Sequence, residues 1–96
     1  MKQAALLILT LLLQAFTISA AEVEYLNSEA TASMELPFSD AVRVGDVIIL
    51  SGQLGIVPGE FRLVEGGIEA ETHQIFANIS GILEQQGSSL DKVFKC

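Results

Sequence analysis

Few side chains in this sequence could do chemistry, so their surroundings decide what they can do. Ser51 ends an apolar run and is followed by Gly52 and Gln53. A serine nucleophile needs a sharp Gly-x-Ser-x-Gly turn and a base within reach. Ser51 has neither, because the turn pattern is absent and the single histidine, His73, has no evident partner. Ser51 and Gly52 therefore read either as the wall of a pocket or as a plain strand end. His73 lies on the flank of a helical stretch, off its apolar stripe, and reads as a solvated side chain rather than a general base. Cys96, the sole cysteine, has no neighbouring base or helix start to activate it, and reads as a small apolar group buried in a strand. Glu65, Glu69 and Glu71 could suggest a cation site, but acidic residues at a helix start answer the helix dipole and need no ion. With no Cys/His cluster, no structural zinc site is expected, and no residue is assigned to a metal. Asn78-Ile79-Ser80 fits the glycosylation sequon but falls in the middle of a helical pattern, which discounts it.

These residues must be held by a small set of elements. Val23 to Asn27 alternates loosely, as a short first strand would, and Ser28 to Ser39 is small, polar and turn-prone. Ala41 to Val44 and Val47 to Ser51 flank Gly45-Asp46, a two-residue connection that favours a tight hairpin. Val47 to Leu50 is apolar at every position, the pattern of a strand buried on both faces. A loop punctuated by Pro58-Gly59 and Gly66-Gly67 follows, with Phe61, Leu63 and Val64 expected to tack it down. Ile68, Thr72, Ile75, Phe76, Ile79, Ile82 and Leu83 recur at intervals of three and four, which predicts a helix over Ile68 to Gln86 with Gly87 as a left-handed stop. Val93 to Cys96 reads as the opening of a further strand, returning parallel to an earlier one.

The first residues have a different character. Lys2 precedes an apolar stretch from Ala4 to Ile18, and the small residues Ser19-Ala20-Ala21 follow, the order of a secretory signal. Thr10 and Gln14 interrupt the run, which falls short of the roughly 20 apolar residues of a membrane span. Residues 1–21 are therefore expected to be a signal peptide cut after Ala21, with the bond after Ala20 as second choice. The product would be exported, periplasmic or secreted, with no membrane attachment after cleavage. The formal charge of the 96 residues is −7, and losing the leader removes one lysine and no acid. Nucleic-acid binding draws most of its affinity from Lys and Arg neutralising phosphates, so no nucleic-acid partner is expected.

From Leu36 onward the chain resembles the RidA/YjgF family of reactive-intermediate deaminases. The similarity is carried by Pro37-Phe38-Ser39-Asp40-Ala41-Val42-Arg43-Val44-Gly45-Asp46, by Ser51-Gly52-Gln53, by Leu63 to Thr72 and by Gly87 to Val93, in the family's order. The resemblance implies an α+β fold of the RidA/chorismate-mutase-like kind, a mixed sheet with helices packed on one face, assembling as a homotrimer with pockets between subunits. It further implies hydrolysis of reactive 2-enamino and 2-imino acids to 2-oxo acids and ammonia, without a cofactor. Active members use an arginine on a late strand for the substrate carboxylate and a glutamate near the C-terminus for the attacking water. Arg43 and Arg62 match other positions and inherit neither role, which leaves the catalytic residues unassigned. By resemblance Phe38, Ser51 and Gly52 line the substrate pocket, with Phe38 standing where many active members have tyrosine.

Residues 22–96 thus read as an incomplete RidA-like domain, cut after its first helix. Roughly 50 further residues are expected, because a piece this short buries only about 60% of its unfolded surface. Two functions stay open at this point. One is an exported imine deaminase whose remaining part supplies the arginine and glutamate. The other is a non-catalytic exported module of the same fold that binds a small molecule or a protein. Export and Phe38 favour the second, and the weight of the family favours the first.

Overall fold

The structure, a computed structural model, describes residues 2–14 and 20–96, with side chains of the first helix described only as far as Leu9. Its elements in chain order are α1 (Lys2–Gln14), β1 (Val23–Leu26), α2 (Glu29–Ala32), β2 (Ala41–Val44), β3 (Val47–Leu50), α3 (Gly67–Gln85) and a 3-10 turn at Leu90–Lys92. α1 carries exposed Leu7, Ile8 and Leu9. Among the described residues no helix is long and apolar enough to cross a membrane. The cleavage site expected at Ser19 to Ala21 begins on a residue outside the described set.

The three strands form an antiparallel meander in the order β1-β2-β3. Its hairpin turns at Gly45-Asp46, with Val44 opposite Val47. Gly45 has φ +57° and Asp46 has no positive φ, so the left-handed residue comes first, as in a type II′ turn whose twist suits the flanking strands. Register then sorts the side chains by face. Leu26 pairs with Ala41 and Ala41 with Leu50, while Arg43 pairs with Glu24 and Ile48, and all of these share one face.

α3 lies across that face. Leu26, Ala41 and Ile82 form the buried core, with Ile48 and Leu50 packed against it. The helix ends as its sequence requires. Gly87 takes φ +78°, and its N–H donates to the Glu84 carbonyl at 3.1 Å while that of Ser88 donates to the Leu83 carbonyl at 2.8 Å, a Schellman motif. Arg43 completes this cap by donating from Nη2 to the Gln86 carbonyl at 3.0 Å. A cation at the negative end of the helix and a strand are thereby joined.

The fold is α+β with its long helix on one sheet face, as expected. Four local readings change. Val93 to Cys96 is irregular and exposed, paired with neither edge of the described sheet, so that sheet is antiparallel throughout and Cys96 is exposed rather than buried. β3 is covered on one face only, with Val47 and Ile49 exposed on the other. The α3 stripe is buried at Ile82 and Leu83 and exposed at Ile68 and Phe76, because the sheet reaches only the C-terminal half of the helix. Phe61 and Leu63 are exposed as well, so they do not tack down their loop.

Candidate functional site

Backbone and one amide hold that loop instead. Val57 to Glu60 is a turn closed by the Glu60 N–H on the Val57 carbonyl at 3.0 Å. Pro58 and Gly59 sit at its centre with Gly59 at φ +80°, the arrangement of a type II turn. Ile56 bridges Leu63 across it. Asn78, at the middle of α3, donates from Nδ2 to the carbonyls of Leu54 at 3.1 Å and Ile56 at 3.0 Å. The sequon asparagine is therefore a structural clamp. Gly55 passes so near α3 that a Cβ there would stand 2.6 Å from the Glu71 carbonyl oxygen, a contact only glycine permits.

Between this loop, α2 and the C-terminal half of α3 lies a cleft of about 570 Å³. All three residues expected to line a pocket, Phe38, Ser51 and Gly52, are on its wall. Phe38 and Ser51 also border a second, smaller hollow on the opposite side of the sheet, beside Tyr25 and Ile49. Phe38 is exposed, and Gly52 has open space where a side chain would begin. Most of the cleft surface is apolar, from residues such as Met34, Leu36, Leu54 and Ile82. Ser28, Thr31 and Ser51 on its wall all bond to one residue to which sequence reasoning assigns no role.

That residue is Asp40, a buried carboxylate at the entrance to β2. Its Oδ2 accepts from the Ser28 N–H at 2.8 Å and its Oδ1 from the Thr31 hydroxyl at 2.9 Å. Because the Thr31 proton is committed to Asp40, the 2.9 Å contact between the Ser28 and Thr31 hydroxyls must have Ser28 as donor. Ser28 Oγ in turn accepts from the Thr31 N–H at 3.2 Å, capping α2. The Asp40 N–H donates to Asn27 Oδ1 at 3.1 Å. Its carbonyl accepts twice from Ser51, from the N–H at 2.9 Å and from the hydroxyl at 3.0 Å. Asp40 thus ties the α2 wall of the cleft to its Ser51 wall. The signal available in sequence is the Ser28-x-x-Thr31 pair, a weak helix-start pattern that does not reveal a partner 12 residues away.

The remaining candidates stay apart from the cleft. Arg43 is held at the α3 C-terminus, with its Nε 3.8 Å from Glu24. Arg62 pairs with Glu60 at 3.0 Å on the exposed loop. Among the described residues no lysine or arginine lines the cleft, and no group of three or more His, Cys, Asp or Glu side chains is placed to hold a metal. His73 is exposed. The arrangement presents an apolar cavity with a fixed serine oxygen, backbone at Gly52 and an aromatic ring, suited to holding a small, mostly apolar molecule by one polar end.

Comparison with known proteins shows which proteins the chain resembles. A family model described as Endoribonuclease L-PSP matches residues 28–96. A RutC family protein of Pyrococcus abyssi is 41% identical over 59 residues, covering 62% of this chain and 46% of that protein. A 2-iminobutanoate/2-iminopropanoate deaminase of Dermatophagoides farinae is 37% identical over 59 residues, with the same coverage of 62% and 46%. The solved structure of a candidate endoribonuclease from Thermotoga maritima matches with a TM-score of 0.57 at 34% identity, covering 80% of this chain and 57% of that one. The chain spans about half the length of the curated relatives it matches.

Proposed function

We propose, since the chain belongs to the Endoribonuclease L-PSP (RidA/YjgF) family, that the whole protein hydrolyses small 2-enamino or 2-imino acids to 2-oxo acids and ammonia. The observation that carries this reading is the gathering of Phe38, Ser51 and Gly52 on one cleft, where the Asp40 carbonyl fixes the serine. The D. farinae relative is named for that chemistry. In this reading the three residues line the substrate pocket and no cofactor takes part. The carboxylate-binding arginine that the resemblance implies is neither Arg43 nor Arg62, which are engaged elsewhere, and the water-positioning glutamate is likewise unassigned. Such groups contribute orders of magnitude to rate by orientation and charge stabilisation.

The family description also names an endoribonuclease, and one observation weighs against that activity here. The chain is acidic, and both of its arginines contact carboxylates, so little positive surface is left for a phosphate backbone. We further propose that the protein is exported on its N-terminal leader and assembles as a homotrimer. What supports assembly is the apolar sheet face opposite α3, where Val23, Tyr25, Val47 and Ile49 are exposed.

The test is ammonia and 2-oxobutanoate release from 2-iminobutanoate generated in situ by threonine dehydratase. The full-length protein should accelerate release and residues 22–96 alone should not. Catalysis by residues 22–96 would overturn the assignment of roles, and no acceleration by the full-length protein would favour the non-catalytic binding module.

A further inference from the structure

We infer that Ser51 meets its ligand as a hydrogen-bond acceptor, so the ligand atom placed there is an N–H donor, a protonated imine or amine nitrogen, with Asp40 as the residue that sets this polarity. The inference rests on the proposed imine hydrolysis for the identity of the ligand, and on geometry for the polarity. A hydroxyl has one proton and two lone pairs, and a carbonyl can only accept. The Ser51 hydroxyl lies 3.0 Å from the Asp40 carbonyl oxygen, so its proton is committed there. The neighbouring Gln53 amide approaches Ser51 Oγ at 3.5 Å with its nitrogen, a donor facing an oxygen that has no proton left to give.

The Asp40 carbonyl is not free to turn away. The same oxygen takes the Ser51 N–H at 2.9 Å, the Asp40 N–H is held by Asn27, and the buried carboxylate is fixed by Ser28 and Thr31. To donate to a ligand, Ser51 would have to abandon a made bond in a partly buried site. An incoming N–H forms a new bond without breaking one. A 2-oxo acid, which offers only acceptors at C2, gains nothing from Ser51, whereas the imine nitrogen of the substrate does. The cleft then distinguishes substrate from product at the atom that the reaction changes.

The experiment uses the full-length protein and two stable probes, 2-aminobutanoate, which carries an ammonium at C2, and 2-oxobutanoate, which carries a carbonyl there. Dissociation constants are measured by titration calorimetry for the wild type, Ser51→Ala and Ser51→Thr. Loss of a hydrogen bond to a charged donor should weaken 2-aminobutanoate about tenfold in Ser51→Ala. Binding of 2-oxobutanoate should stay within about twofold, and Ser51→Thr, which keeps the hydroxyl, should restore the amine preference. A purely structural role for Ser51 would weaken both probes together. Equal weakening, weakening of 2-oxobutanoate alone, or no effect on either probe overturns the inference. Failure of the hydrolysis reading is seen separately: imine hydrolysis with the wrong probe pattern sinks this inference alone, and the right pattern without hydrolysis sinks that reading alone.

Discussion

The two faces of the sheet are built from the same strands by the same alternation, yet they reach different ends. On the face toward α3, Leu26, Ala41, Ile48 and Leu50 meet Ile82 and form the core. On the other, Val23 pairs with Val44 and Val44 with Val47, and Tyr25 pairs with Val42 and Val42 with Ile49, two apolar rungs that no element of the described chain covers. A polar outer face is the usual partner of a half-buried antiparallel sheet. Its replacement by valine, isoleucine and tyrosine leaves one side of the sheet with apolar surface that the described chain does not bury, while the other side is closed from within the chain. Burying a Leu or Ile side chain is worth about 1.5–3 kcal/mol, so a core this small gains substantially from covering the second face.

Substitutions act differently on the two faces. Ile82→Ala, which removes the helix's contribution to the covered face, should cost about 2–5 kcal/mol of stability in denaturant melts of the full-length protein. A cost below that range would mean that the helix is not what closes the face. Gly55→Ala drives a Cβ into the α3 backbone at Glu71, and should cost about 1–3 kcal/mol as an overpacked contact within the chain. Crystallography or hydrogen exchange should show the loop lifted from Asn78. Ile49→Ser on the open face should alter the stability of the separated subunit by only about 0.5 kcal/mol. Sedimentation should nevertheless show weaker assembly, and unchanged assembly would remove the reason offered for the apolar rungs.

The smallest effect lies away from both faces, at the turn after α3. The Ser89 hydroxyl and the Asp91 backbone N–H hold the Asp91 carboxyl below the ordinary aspartate range. A carboxyl whose folded pKa is depressed adds stability above its unfolded pKa, and loses it as pH falls through the folded value. Ser89→Ala should therefore raise the Asp91 midpoint in a carbon-detected NMR titration and soften the acid limb of stability slightly. Because the side chain is exposed, neither face should respond. A chemical-shift change at Ala41 or Ile49 over the same pH range would contradict that separation.

The parts of the molecule that are written locally are legible in the order of its residues. Gly45-Asp46 announces the hairpin, and the three-and-four spacing from Ile68 to Leu83 announces α3 to within a residue at either end. Phe38, Ser51 and Gly52 are reached through resemblance, and all three line one cleft. Features that depend on distant partners are not legible. α2 has only four residues and is held by Asp40 from beyond it, so no periodicity could reveal it. The Asn78 clamp reaches back more than 20 residues to a loop whose course the sequence does not specify. Phe61 and Phe76 show that apolar character names a face without naming what covers it.

A progress curve decides whether this cleft belongs to an imine hydrolase, as proposed. Purified full-length protein is added to 2-iminobutanoate as threonine dehydratase forms it, and ammonia and 2-oxobutanoate are followed together. Equimolar release is expected well above the spontaneous rate, reduced but not abolished by Ser51→Ala and unchanged or increased by Phe38→Tyr. Release no faster than the spontaneous rate, from protein shown by its melt to be folded, would contradict the proposal.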